Sequence, residues 1–193
     1  MTKKLIKKEL KKVTIKSSQF SSVVIIWSFF EENPKILRVI LSKPQISAEV
    51  ITEETYPEAK DGICDEIERT VEKIEAFLRG ERVSFDLDIV TLEFLPPFQR
   101  EVLIAQYGIP RGKVSTYKLI ANHLGRAGAV RAVGRALARN PFPLIIPCHR
   151  TIRSDGSLGG YEGGAEMKKA LLELEGVEIK GNRAVVEKFY YED

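Results

Sequence analysis

Apolar positions follow two different rhythms along this chain, strand-like in the first quarter and helix-like beyond it. Ser22 to Phe30 and Lys35 to Ser42 are rich in β-branched and aromatic residues and are separated by Glu-Glu-Asn-Pro. They predict a hairpin in an N-terminal sheet. Val13 to Lys16 is a third, weaker candidate strand. From Pro57 to Arg79 the period changes: Ile63, Ile67, Val71, Ile74 and Leu78 recur at three- and four-residue steps and mark one face of an amphipathic helix. Pro57 suits its first turn and Gly80 its end. Cys64 falls inside this pattern and reads as a core residue, as free cysteines commonly are. These elements define an N-terminal α/β domain over residues 1–88, with nothing in it that carries chemistry. Its expected role is support.

The remainder, residues 89–193, reads as a mainly helical domain cut by tight turns. Pro96-Pro97 breaks the chain, and Phe98 to Tyr107 predicts a helix ending at Gly108. Gly112 to Thr116 leads into a short helix, Tyr117 to Leu124, with Ser115 or Thr116 available to cap it. Gly125 supplies a turn and Gly128 to Arg139 a second helix, so the pair forms a helix-turn-helix. In that second helix Arg131, Arg135 and Arg139 make a positive stripe, while Val130, Val133 and Leu137 can face inward. The rest is small: Ala127, Gly128, Ala129, Ala132, Gly134, Ala136 and Ala138. So slim a helix suits either a narrow groove, such as the minor groove of about 6 Å in B-form DNA, or close packing on another helix. The fold class is α/β: a small N-terminal α/β domain with a hairpin-containing sheet, then a helical domain with a helix-turn-helix.

Composition narrows the function classes. With 193 residues, 44% apolar and 30% charged, the chain suits one large or two small globular domains. No apolar run approaches the roughly 18 residues of a membrane span. Met1 to Lys12 is lysine-rich but lacks the apolar stretch of a signal peptide, so the cytoplasm is the expected compartment. Two cysteines and two histidines are too few for a disulfide framework or a zinc site, and no metal is expected. The net charge is only +3, yet Val102 to Ser154 holds no Asp or Glu and nine cations: Arg111, Lys113, Lys118, Arg126, Arg131, Arg135, Arg139, Arg150 and Arg153. Such segregation points to a polyanion surface.

Within that basic stretch lies Pro147-Cys148-His149-Arg150, after the apolar Leu144-Ile145-Ile146. A reactive thiol needs a positive field and a proton acceptor. In extended chain the Cys148 and His149 side chains would point to opposite sides, so a water bridging them is the expected relay, with Glu175 a candidate to orient the imidazole. Asn140-Pro141 stops the preceding helix, and the Asn140 side chain can hold the turn. Downstream, Gly159-Gly160-Tyr161-Glu162-Gly163-Gly164 lets backbone approach a flat ligand, with Tyr161 as a wall.

Asn140 to Arg150 (NPFPLIIPCHR), the preceding Arg131-Ala132-Val133-Gly134, and the later Gly-Tyr-x-Gly-Gly and Leu-Leu-x-Leu-Glu closely resemble the O6-alkylguanine-DNA alkyltransferases, with consistent spacing from about Pro97 to Gly176. The resemblance implies irreversible, single-turnover transfer of the O6-alkyl group of guanine in double-stranded DNA to Cys148, with O4-alkylthymine a second candidate substrate. It implies no cofactor, no obligate protein partner and a monomer. By the same resemblance His149 and Glu175 form the relay through water, and Asn140 holds the turn. Arg131 is the finger that fills the gap left by the flipped nucleotide. Tyr117 crowds the target's phosphate and donates towards the base. Ala129, Lys118, Arg126 and Arg135 fall on the DNA-binding face. Leu137, Tyr161 and the backbone at Cys148, Thr151 and Glu162 form the guanine pocket. Thr151 stands where the family often has valine, and Glu162, in place of a small polar residue, would narrow the pocket. Three rivals differ in class. A lesion binder would lack the acceptor cysteine. A Cys-His hydrolase would have no use for the basic stripe, and a transcription regulator would not need Cys148.

Overall fold

The computed structural model describes residues 9–192; most of the lysine-rich Met1 to Lys12 stretch lies outside them. The chain divides into two compact units, one ending at Leu95 and one beginning at Pro96.

In the first unit β1 (Lys11–Ser17), β2 (Ser21–Phe30) and β3 (Asn33–Leu41) form an antiparallel meander, and β4 (Lys60–Asp61) adds to β1 in parallel, giving the order β3-β2-β1-β4. The expected hairpin is present, closed by Glu31 and Glu32 alone, both at positive φ (48° and 70°). That is the backbone a two-residue hairpin demands, here adopted without glycine. β2 reads as an unbroken apolar run because both its faces are covered. Val24 and Ile26 pack with Ile40, Ala48 and Ala59 on the side of α1 (Ala48–Thr55). Val23, Ile25 and Trp27 are buried on the other face, where Trp27 Nε1 donates to the Gly62 carbonyl at 3.1 Å, just before α2 (Asp65–Leu78).

The predicted 57–79 helix is corrected at its start. Tyr56 to Cys64 are turn and strand, α2 begins only at Asp65, and Ile63 is exposed. Pairing of Lys60 and Asp61 with β1 outweighs the local apolar period. Cys64 is the half-buried residue preceding α2, not part of a helical core. The boundary also moves, because Thr91 donates from its amide and its hydroxyl to the Ile36 carbonyl, both at 3.2 Å. That ties the segment through Leu95 to the first unit.

The second unit is built on α3 (Pro97–Tyr107), α4 (Tyr117–His123), α5 (Val130–Ala138) and α6 (Ala165–Leu174). Two short ladders join them: β5 (Ser115–Thr116) pairs in parallel with β6 (Thr151–Ile152), and β7 (Ile179–Lys180) pairs with β8 (Arg183–Ala184). Thr116 is the cap of α4, its Oγ1 accepting from Leu119 N at 3.1 Å, while Ser115 Oγ donates to the Tyr190 carbonyl. Gly125, at φ +66°, makes the turn, and a 3-10 turn over Ala127–Ala129 delays α5 to Val130. Val133, Ala136 and Leu137 bury its inner face as the pattern required, with Val130 half-buried.

Candidate active site

The approach to Cys148 is a folded turn. Ile146 N donates to Phe142 O at 2.8 Å, and Leu144 is forced to φ 71°. Pro147, at φ −78° and ψ 65°, centres an inverse γ-turn closed by Cys148 N to Ile146 O at 2.8 Å. Asn140 is 2% exposed and spans this loop: its Nδ2 donates to Ile146 O at 2.9 Å and its Oδ1 accepts from Phe142 N at 3.0 Å. Cys148 to Arg150 then form one 3-10 turn. The sequence expectation of extended chain here is thus corrected, because Arg150 N reaches back to Pro147 O at 2.9 Å.

His149 and Glu175 are brought together as expected. His149 Nε2 lies 2.9 Å from Glu175 Oε1, with both side chains sealed from solvent. Arg150 completes the cluster. Its Nε and Nη2 each lie 2.8 Å from a carboxylate oxygen of Glu175, and its Nη1 donates to Ile109 O at 2.6 Å. Burial raises the Glu175 pKa, but His149 and then Arg150 outweigh it and hold the carboxyl at about 2. Burial also lowers the His149 pKa, with Glu175 opposing. A neutral imidazole beside an ionised carboxylate keeps its proton on Nε2, which makes Nδ1 the accepting nitrogen.

Cys148 itself is half-buried. Desolvation pushes its thiol up, against the Asn140 side chain and the Lys168 ammonium, while Glu162 adds to the rise. The basic stretch therefore does not make a resting thiolate, and a base must take the proton. Tyr161 stands edge-on to His149, ring centroids 6.2 Å apart, and its buried hydroxyl has no hydrogen-bond partner among the described residues. Burial first, then the negative charges around it, raise its pKa well above the ordinary phenol value. Tyr117, half-buried, is raised chiefly by burial.

Three supporting residues escaped the sequence reading. Gln106, fully buried on α3, donates to Pro147 O at 2.7 Å and accepts from Thr151 Oγ1. Arg150 stands out in the sequence only as part of the basic stretch. Lys168 is 0% exposed, and its Nζ donates to Thr151 O at 2.6 Å and more weakly to Gly160 O at 3.4 Å. Desolvation lowers its pKa to about 8. A lysine sharing the apolar face of α6 with Leu171 and Leu172 was the available signal.

On the helix-turn-helix, Arg131, Arg135, Arg139 and Lys118 are exposed, Ala129 is half-buried, and Leu137 is buried. Arg126 differs: its guanidinium pairs with Glu101 at 2.8 Å and lies 5.1 Å above the Phe98 ring, so part of its charge is already engaged. Among the described residues no cluster of His, Cys, Asp and Glu could hold a metal, and no helix is long and apolar enough to cross a membrane.

Known proteins resemble this chain in sequence and in fold. The family described as "6-O-methylguanine DNA methyltransferase, DNA binding domain" matches residues 97–177. A methylated-DNA–protein-cysteine methyltransferase of Methanothermobacter thermautotrophicus is 48% identical over 115 residues, covering 60% of this chain and 64% of that protein, slightly under two thirds of its length. One from Saccharolobus islandicus is 46% identical over 55% of this chain and 68% of its own. A solved structure of Mycobacterium tuberculosis OGT in complex with DNA superposes with a TM-score of 0.67 at 30% identity, covering 86% of this chain and 92% of that one. Likeness at this level, over nearly the whole of a solved relative, places the chain in the methylated-DNA–protein-cysteine methyltransferase family.

Proposed function

We propose that this protein reverses alkylation damage in DNA by moving the O6-alkyl group of guanine onto Cys148, once per molecule. The observation that carries the reading is the sealed His149–Glu175 pair, 2.9 Å apart, directly following a thiol that burial keeps protonated. The thiol proton passes through a bridging water to His149 Nδ1, and the imidazolium so formed is stabilised by Glu175. The sulfur then attacks the alkyl carbon. The S–C bond forms as the C–O bond breaks, and the electron pair leaves on guanine O6. Tyr117, its pKa raised, keeps a proton to donate towards the departing base. The product thioether is not reopened by water or thiols, so the site needs no regenerating residue and no cofactor.

The substrate is double-stranded DNA with the target nucleotide extruded. Alkylated guanine pairs poorly, so extrusion costs less than the few kcal/mol of a normal base. The exposed Arg131 fills the vacated stack, and Arg135, Arg139 and Lys118 meet phosphates. Tyr161, Leu137, Thr151 and Glu162 bound the pocket, where the buried Tyr161 hydroxyl finds its partner on a ligand. O4-alkylthymine is a second substrate of the same chemistry. The protein acts as a cytoplasmic monomer without an obligate protein partner. Intact mass after incubation with duplex DNA carrying O6-methylguanine tests the reading. One methyl transfer per chain, mapped to Cys148 and lost in Cys148→Ala, is expected. Folded protein that binds the lesion with no mass gain would overturn it.

A further inference from the structure

The loop after β6 carries an arginine to which neither the relay nor the helix-turn-helix assigns a role. Arg153 opens a tight turn: its N–H donates to Ser157 O and Gly156 N–H to its own carbonyl, both at 2.9 Å. Asp155 Oδ1 locks the turn by accepting from Ser157 N at 2.9 Å and Ser157 Oγ at 2.6 Å. The chain then returns through Gly159, at φ +71°, to a shared point. A Cβ placed on Gly159 would stand 3.4 Å from the Tyr117 hydroxyl, 3.7 Å from Arg153 Cγ and 3.8 Å from Arg153 Nε. A Cβ on Gly134 of α5 would stand 3.8 Å from Tyr117 Cδ1, so Tyr117 lies between the DNA-binding helix and Arg153.

The charge state of this point favours an anion. Arg153 is exposed and forms no ion pair among the described residues, whereas Arg150 is held by Glu175 and Arg126 by Glu101. The nearby Asp155 accepts from Ser157 and pairs with Arg183, and the Arg153 guanidinium adds only the last and smallest of the contributions that lower its pKa.

We infer that Arg153 is a positioning residue that binds a phosphodiester flanking the flipped nucleotide, holding the sugar-phosphate at the rim beside Tyr117 while the base occupies the pocket. The inference rests on the alkyl-transfer reading above. A planar guanidinium engages two phosphate oxygens through a fixed fork of parallel N–H groups, a geometry that the point charge of a lysine does not reproduce. Its contribution belongs to nucleotides in a strand and vanishes for a free base.

The test compares two substrates, O6-methylguanine in duplex DNA and the free base O6-benzylguanine, with Arg153→Met and Arg153→Lys. For Arg153→Met the rate on duplex at limiting DNA falls about tenfold, the size of one charge-assisted hydrogen bond, and the free-base rate is unchanged. The slope of log affinity for DNA against log salt becomes shallower by about one. Arg153→Lys restores the salt slope but only part of the rate. Equal losses on both substrates, or an unchanged duplex rate and salt slope, would overturn the assignment. Wild-type protein that accepts the alkyl group from neither substrate would instead remove the reading on which it rests.

Discussion

Replacing Glu175 by Gln isolates the charge at the centre of the acceptor cluster. The carboxyl is held at about 2 against an ordinary 4.5, and its side chain is 0% exposed, so solvent does not screen the interaction. Each pKa unit is worth about 1.4 kcal/mol, which makes the ionised carboxylate's contribution about 3 kcal/mol at neutral pH. Because the folded pKa is depressed, that stability is fully present above pH 4.5 and is lost as pH falls through about 2. Glu175→Gln should therefore be less stable than the parent by about 3 kcal/mol at pH 7, the cost of taking the carboxylate away from the His149 ring and the Arg150 guanidinium. The gap should shrink below pH 4.5 as Glu175 takes up its proton; between 6.5 and 4.5 it also carries the titration of His149, which Glu175 supports in the parent alone. Other depressed carboxyls, such as Glu49 in the first unit, titrate alike in both proteins and drop out of the difference. Urea titrations followed by circular dichroism at pH 7, 5, 4 and 3 supply the comparison. A stability difference that stays constant across this range would refute the electrostatic account and leave only a packing defect.

Three further outcomes follow from the same geometry. His149 carries a lowered pKa and is neutral at pH 7, so alkylation of duplex DNA should slow only in acid below the ordinary 6.5. His149→Ala should lose that limb together with about a hundredfold or more in rate, and an unchanged quench-flow profile would remove the imidazole from the mechanism. Asn140→Ala strands the Phe142 amide and leaves the Ile146 carbonyl with Cys148 N alone, so it should lose about 1–3 kcal/mol in chemical denaturation, with slower alkylation as the turn loosens. Lys168→Met removes the ammonium that opposes the rise of the Cys148 pKa. Its iodoacetamide reaction should need higher pH than the parent's, and a superimposable profile would show that the ammonium acts only on the backbone carbonyls.

What the sequence disclosed was whatever depends on near neighbours. Pro97 and Gly108 bracket α3 as punctuation suggests, Thr116 caps α4, and the arginine stripe of α5 faces outward. The cysteine motif, with Asn140 before it and Glu175 after it, was legible as a residue constellation. Pairings between distant segments were not. β4 overrides the helical period at Ile63 because Lys60 and Asp61 meet β1, some fifty residues earlier. α1 has a short, mixed pattern, and its Ser47 cap gave too slight a local signal. Gln106 and Lys168 are polar residues committed to the backbone of β6 or the acceptor turn, and only the folded chain shows their partners. The state of the thiol was hidden for a related reason. A run of basic residues suggests a thiolate, but most of those cations point outward while burial acts on the sulfur itself.

The two-residue ladder between β5 and β6 sets how the parts move. Ser115 pairs with Thr151 and Thr116 with Ile152. Thr116 caps α4, and Thr151 stands three residues beyond Cys148, so the first helix of the helix-turn-helix and the acceptor turn are hydrogen-bonded into one body. On the alkyl-transfer reading proposed above, such a body would act as a gauge and not as a jaw. The distortion that brings lesion and sulfur into line would then fall to the nucleic acid, and the pace of the encounter would be governed by how readily a damaged base pair opens.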